Sequence, residues 1–253
     1  WTFFYVLRLG MRMKNYLIWL KDELKSINTA GSIMLAFIIG VQLAFFLTST
    51  ITTLSVITLI ATLMGSACTV YMMIGKPING LLGLISAFGY IYINWTAGHY
   101  ASVLDQIVFV LLIDLPLIFT WKTWGHRIEN GVKFMKLRGW VLTIISMLIL
   151  WWPITLIYTK LGDTNPLWDA LTLIIGAAAS ILVVKGYGDS YSLWLLSDAV
   201  MIVLWATALV AGYSASSLPM LLTITFYLVT SLYGKFFSIW KNDKKEAQEV
   251  EVD

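Results

Sequence analysis

The stretch Tyr100–Trp121, YASVLDQIVFVLLIDLPLIFTW, decides how this chain is read. It is a run of about 20 mostly apolar residues, the length a helix needs to cross a hydrocarbon core roughly 30 Å thick. Yet it carries Asp105, Gln106 and Asp114. An ionisable side chain at the bilayer centre costs at least about 2.5–3.5 kcal/mol, so such groups face a partner, a ligand or a water-filled space. The segment therefore sets the fold class and raises the functional question together.

The rest of the chain agrees with the first part of that reading. Of 253 residues, 59% are hydrophobic and 12% charged, and the mean hydropathy is +0.81. A soluble domain is nearer about 45–50% apolar and about 25% charged. This composition leaves too little polar surface to face water, and backbone groups in lipid must bond internally. The expectation is an all-α integral membrane protein. Eight apolar runs are predicted to span: 31–50, 51–74, 79–98, 101–121, 139–159, 167–184, 190–210 and 217–240. The junction LTSTITT (47–53) is the shortest turn, while GKPING (75–80) and GDTNP (162–166) are clear loop punctuation.

Lysine and arginine orient the spans. With the N-terminus in the cytoplasm, every basic residue except Lys160 falls on the inner side, out of 17 in the chain. Both termini are then cytoplasmic. Residues 1–30 read as an amphipathic segment on the inner membrane surface. Arg8, Arg12, Lys14, Lys21, Asp22 and Glu23 interrupt it too often for a signal peptide. Residues 242–253 form a polar tail.

AGHYASVLDQ (97–106) resembles AGYSASSLPM (211–220). Ala97, Gly98, Ala101, Ser102 and Leu104 match Ala211, Gly212, Ala215, Ser216 and Leu218. These are small, common residue types, and coincidence among small-residue helix contacts gives the same pattern. The span count favours a true repeat, because an odd number of crossings gives both triples the same orientation. The expected organisation is 31–50 as an extra transmembrane helix, 51–122 as a first three-helix repeat, and 123–160 as a cytoplasmic loop and linker helix. A second three-helix repeat follows over 161–241. That is the SWEET-like 3+1+3 plan of two parallel repeats, with a substrate site between the halves.

Four acids fall in the spans: Asp105, Asp114, Asp169 and Asp198. Asp105 and Asp169 sit near outer helix ends, where headgroup exposure is the competing explanation. Asp114 and Asp198 lie deeper, at similar depth, one in each half. Nine steps of 100° place Asp105 and Asp114 about half a turn apart on a regular helix, so they cannot share one narrow pore. Acids without basic partners favour a cationic ligand, or else are protonated. Trp194 lies one turn from Asp198, and an aromatic face beside a carboxylate suits a flat cation. Gln106 both donates and accepts, as an amide or hydroxyl requires. Tyr90, Trp95 and Trp205 are further candidate ligand contacts, with simple packing as the alternative. Trp19, Trp121, Trp124, Trp140, Trp151 and Trp240 fall near helix ends and read as belt anchors.

Enzymatic chemistry finds no purchase. There is no phosphate loop, no G-x-S-x-G and no paired His-Glu motif. His99 and His126 belong to opposite sides of the membrane. Cys68 stands alone, so no metal cluster or intrachain disulfide is expected, and no cofactor. A net charge of +3 does not suggest nucleic acid.

NGLLGLISAFGYIYINWTAGHYASVLDQIVF (79–109) and LWDALTLIIGAAASILVVKGYGDSYSLWLLSDAV (167–200) resemble the PnuC family of bacterial vitamin transporters. The resemblance implies a SWEET-like homotrimer in the bacterial inner membrane. It implies facilitated diffusion of nicotinamide riboside, trapped afterwards by a separate cytoplasmic kinase. It also implies that Gln106, Trp194 and Asp198 line the substrate site. The chain departs from the pattern at Asp198, where many members have Asn, at Leu84, and at LPLIF (115–119). Thiamine or another nucleoside is the alternative cargo, and a non-transporting receptor or scaffold the alternative class.

Overall fold

The structure, a computed structural model, describes residues 16–48, 50–97, 100–163, 165–211 and 217–241. Side chains 97, 204, 205, 207–209, 211 and 217–220 fall outside that description. The described residues are almost wholly helical. A short helix α1 (16–25) precedes α2 (Thr29–Thr48), α3 (Thr53–Met73), α4 (Ile78–Ala97) and α5 (Tyr100–Phe109). A π-helical turn, Val110–Asp114, joins α5 to α6 (Leu115–Glu129). Then come α7 (Leu137–Lys160), α8 (Pro166–Lys185), α9 (Ser190–Ala211) and α10 (Ser217–Phe237). Counting α5–π–α6 as one unit, eight helical units overlie the eight predicted runs.

Five of them, α2, α3, the Tyr100–Glu129 unit, α7 and α8, are long and apolar enough to cross a membrane. α9 and α10 add the apolar stretches Ser190–Val203 and Leu221–Phe237. On α7 most apolar side chains are exposed, Leu142, Ile149 and Trp152 among them, as expected of a helix that meets lipid.

Local chemistry explains the ends. The short LTSTITT junction works because Thr52 caps α3: its hydroxyl accepts from Ser55 N at 3.1 Å while Ser55 Oγ accepts from Thr52 N at 2.7 Å. The C-terminal ends of α3 and α8 finish alike. Gly75 (φ +70) and Gly186 (φ +77) take the left-handed conformation that glycine adopts without strain. Lys76 N then donates to Tyr71 O at 2.8 Å, and Tyr187 N to Leu182 O at 2.9 Å. Gly75 N donates to Met72 O at 3.0 Å, and Gly186 N to Val183 O at 2.9 Å. Both ends are Schellman caps.

Packing divides into two groups. α3 packs on α4 and α4 on the α5–π–α6 unit, while α8 packs on α9 and α9 on α10. Two seams join the groups: α3 against α10, and α8 against the α5–π–α6 unit. α2 packs on both α3 and α10, where Gln42 Nε2 donates to Thr223 Oγ1 at 2.9 Å in a buried position. α7 packs on α8. α1 is tied down at the same end as the Schellman caps. Tyr71 Oη donates to Leu24 O at 2.7 Å, and Trp19 packs on Trp121 with centroids 4.4 Å apart.

Two expectations are corrected. The loop predicted to begin at 123 is helical through Glu129, because Trp124 and Ile128 on that extension are buried. Nor are Trp124 and Trp240 belt anchors: they are 0% and 1% exposed. Trp124 Nε1 donates to Val183 O at 3.2 Å and Trp240 Nε1 to Met72 O at 3.0 Å. A membrane-facing indole stays wet on its polar edge, whereas these two bond to backbone inside the protein.

Candidate functional site between the helix groups

α9 presents Tyr191, Trp194 and Asp198 at spacings of three and four, which puts them on one face. Asp198 is 8% exposed, and its Oδ2 accepts from Ser231 Oγ of α10 at 2.7 Å. The Trp194 ring lies 6.2 Å from Phe109 of α5, centroid to centroid, and so spans the two groups. Gly176 of α8 permits that approach: a Cβ there would lie 2.9 Å from Phe109 Cζ and 3.6 Å from Trp194 Cζ3. The buried Nε1 of Trp194 has no hydrogen-bond partner among the described residues, and neither has the Tyr191 hydroxyl. A buried donor left unpaired costs about 1–3 kcal/mol, so the α9 face is chemically incomplete.

The first group carries buried polar side chains of its own. Asp114, 4% exposed, closes the π turn and packs against Gly83 of α4 and near the Cys68 thiol of α3. Gly83 and Gly80 allow this, since a Cβ at Gly80 would come within 2.9 Å of Asp114 O. Tyr90 is partly buried, its hydroxyl within hydrogen-bonding reach of Tyr227 on α10. Gln106 is half-buried, one turn before Phe109.

Asp105 and Asp114 do face different partners, Asp105 accepting from the Tyr158 hydroxyl of α7. The half-turn reasoning behind that expectation needs amending, however. A π turn absorbs one residue, so the two acids lie about eight α-steps apart, roughly 80°. Different neighbours, α7 and α4, separate them rather than opposite faces. Trp95 is 62% exposed and packs edge-on to Tyr100, so the structure does not bring it to Trp194. The Trp205 side chain lies outside the described residues, as do His99 and the repeat residues Gly98, Gly212, Ala215 and Ser216. Sequence reasoning missed Ser231, Tyr191 and Phe109. The three-residue step from Tyr191 to Trp194 was the available signal for one of them.

A family model described as nicotinamide mononucleotide transporter matches residues 55–242. The nicotinamide riboside transporter PnuC of Neisseria mucosa is 28% identical over 189 residues, covering 69% of this chain and 68% of that protein. The Haemophilus influenzae transporter of the same name is also 28% identical, covering 70% and 76%. The crystal structure of the vitamin B3 transporter PnuC superposes with a TM-score of 0.71 at 25% identity, covering 88% of this chain and 96% of that one. The molecule is therefore a multi-pass membrane transporter. It belongs to the nicotinamide mononucleotide transporter family, the family that includes the PnuC proteins.

Proposed function

We propose that the chain carries nicotinamide riboside across the bacterial inner membrane by facilitated diffusion, with both termini cytoplasmic. The carrying observation is the Trp194–Asp198 face of α9: an indole N–H unpartnered among the described residues, one turn from a carboxylate that accepts from a serine hydroxyl. A pyridinium ring is flat and positively charged, so it stacks on the indole while the carboxylate balances its charge. In this reading Gln106 reads the carboxamide or a ribose hydroxyl, and Asp114 and Tyr90 contribute from the first group.

Charge selects the riboside over its phosphate ester. A mononucleotide brings an anionic phosphate, which needs arginine or lysine partners. No base acts on Asp114 or Asp198, and Lys122, Arg127 and Lys235 of the described spans sit toward the capped end. Phosphorylation by a separate cytoplasmic kinase would then trap the cargo, because the product no longer fits the path.

The 3+1+3 plan, with α2 as the extra helix and α7 as the linker, is supported by the paired Schellman caps and the two matching seams. Clustered basic residues at the capped end, Lys76, Lys122 and Arg127 among them, support a cytoplasmic position for it. A homotrimer is part of the same proposal.

Calorimetric titration with nicotinamide riboside, thiamine and uridine in parallel, followed by uptake into proteoliposomes, tests the reading. Binding and uptake of the riboside alone are expected. Thiamine in its place would mark Asp198 as the sign of changed specificity. Binding without uptake would make the protein a receptor.

A further inference from the structure

We infer that Trp124 and Trp240 form a reciprocal latch that holds the path shut at the capped end. Each indole reaches across from one helix group to the other. Trp124, on α6, donates to Val183 O at the end of α8 (3.2 Å). Trp240, just beyond α10, donates to Met72 O at the end of α3 (3.0 Å). The two rings meet with centroids 6.0 Å apart and planes tilted by 43°. Each accepting carbonyl is the one already used by the glycine of its Schellman cap, Gly186 or Gly75. One geometry is thus built twice, once in each direction.

The consequence follows from connectivity. If the groups part at this end, both crossing bonds break and the ring pair separates. The groups cannot part on one side and keep the other bond unchanged, because the rings abut. Ile128, 2% exposed, fills the space between the two cap glycines: it would lie 3.0 Å from a Cβ at Gly75 and 3.2 Å from one at Gly186. The latch also touches the cargo face, since Tyr191 packs on Trp240 at 5.5 Å and sits one turn before Trp194. Tyr191 thus adjoins both the latch and the cargo face.

The inference rests on the reading of the chain as a carrier that opens to one side at a time, but its test needs no cargo. Cys68, the single cysteine, lies on α3 one turn inside Met72 and serves as a natural reporter. Trp124→Phe and Trp240→Phe keep the rings and remove the donors, leaving both carbonyls bonded to their cap glycines. A neutral hydrogen bond is worth about a five-fold factor, so the double variant gains about 25-fold in open state if both bonds act. The readout is the rate at which a membrane-impermeant methanethiosulfonate labels Cys68 in vesicles of each orientation. We expect each single variant to label about five-fold faster and the double about 25-fold faster, from the face bearing Lys76 and Lys122 only. Wild-type rates in variants that elute and melt like the parent overturn the latch, and so does an equal rise from both faces. Should the double variant fail to fold, the single variants decide by the same criterion. Loss of riboside binding in the parent would sink the cargo assignment and leave this result standing.

Discussion

Replacing Asp198 by asparagine keeps the shape of the side chain and its acceptor for Ser231 Oγ, and removes the charge. Among the described residues the ion pair is Lys76–Glu129 at 3.1 Å, at the capped end, so no base offsets Asp198. A carboxylate and a ring cation about 4 Å apart attract by about 4 kcal/mol at an effective dielectric constant near 20. Desolvating both groups takes back roughly half of that, leaving about 2 kcal/mol, or about a thirty-fold rise in Kd for nicotinamide riboside. The reduced 1,4-dihydro riboside has nearly the same outline and no charge. Its Kd should change by no more than about three-fold, the scale of about 0.6 kcal/mol. Calorimetry of both ligands on both proteins gives the cycle directly. Equal loss for the charged and neutral ligands would refute the charge-balance role and make Asp198 a structural partner of Ser231.

Other outcomes follow from the same geometry. Trp194→Ala should weaken riboside binding by about 1–3 kcal/mol, the worth of one aromatic stacking partner, and unaltered affinity by titration would remove the indole from the site. Trp95→Ala should leave affinity unchanged, because that side chain is exposed at the far end of α4; a large loss would redraw the site around α4. Gly83→Ala drives a methyl into the Asp114 carboxylate and should destabilise the fold by about 1–3 kcal/mol, read as a lower melting temperature. Asp189 lies in the α8–α9 connection, where burial pushes its carboxyl above the ordinary value while the Met135 N–H, donating at 2.5 Å, pulls it back. Its folded pKa thus exceeds its unfolded one. Its contribution to stability is full below the unfolded value of about 3.9 and is lost as pH rises through the raised value. Asp189→Asn should flatten that part of the melting-temperature profile, and a profile parallel to the parent's would show that Asp189 does not titrate there.

The sequence made the spans legible because lipid imposes one demand on every segment, an unbroken apolar helix of sufficient length. The short turn before α3 was the least certain junction, and the Thr52–Ser55 capping box that makes it possible was a signal left unread. Trp194 and Asp198 were legible together because a four-residue spacing is a property of one helix. What stayed hidden depends on relations between helices. The π turn at Val110–Asp114 has no compositional mark, yet it resets the phase of everything after it. Trp124 and Trp240 look like interfacial anchors by position alone, and their carbonyl partners are 59 and 168 residues away along the chain. Ser231 was invisible for the same reason: its importance comes from a carboxylate 33 residues earlier.

α2 bears on how such a molecule can move. It lies over the seam between α3 and α10 and is pinned there by the buried Gln42–Thr223 bond, much as α7 lies over the seam between α8 and α5, where the Tyr158 hydroxyl donates to Asp105. A polar bond broken in hydrocarbon finds no water to replace it. The two seams are therefore splinted alike, each by a helix from outside the two groups and by one polar bond. The pair of groups is bound along both edges, so neither seam opens without the loss of such a bond.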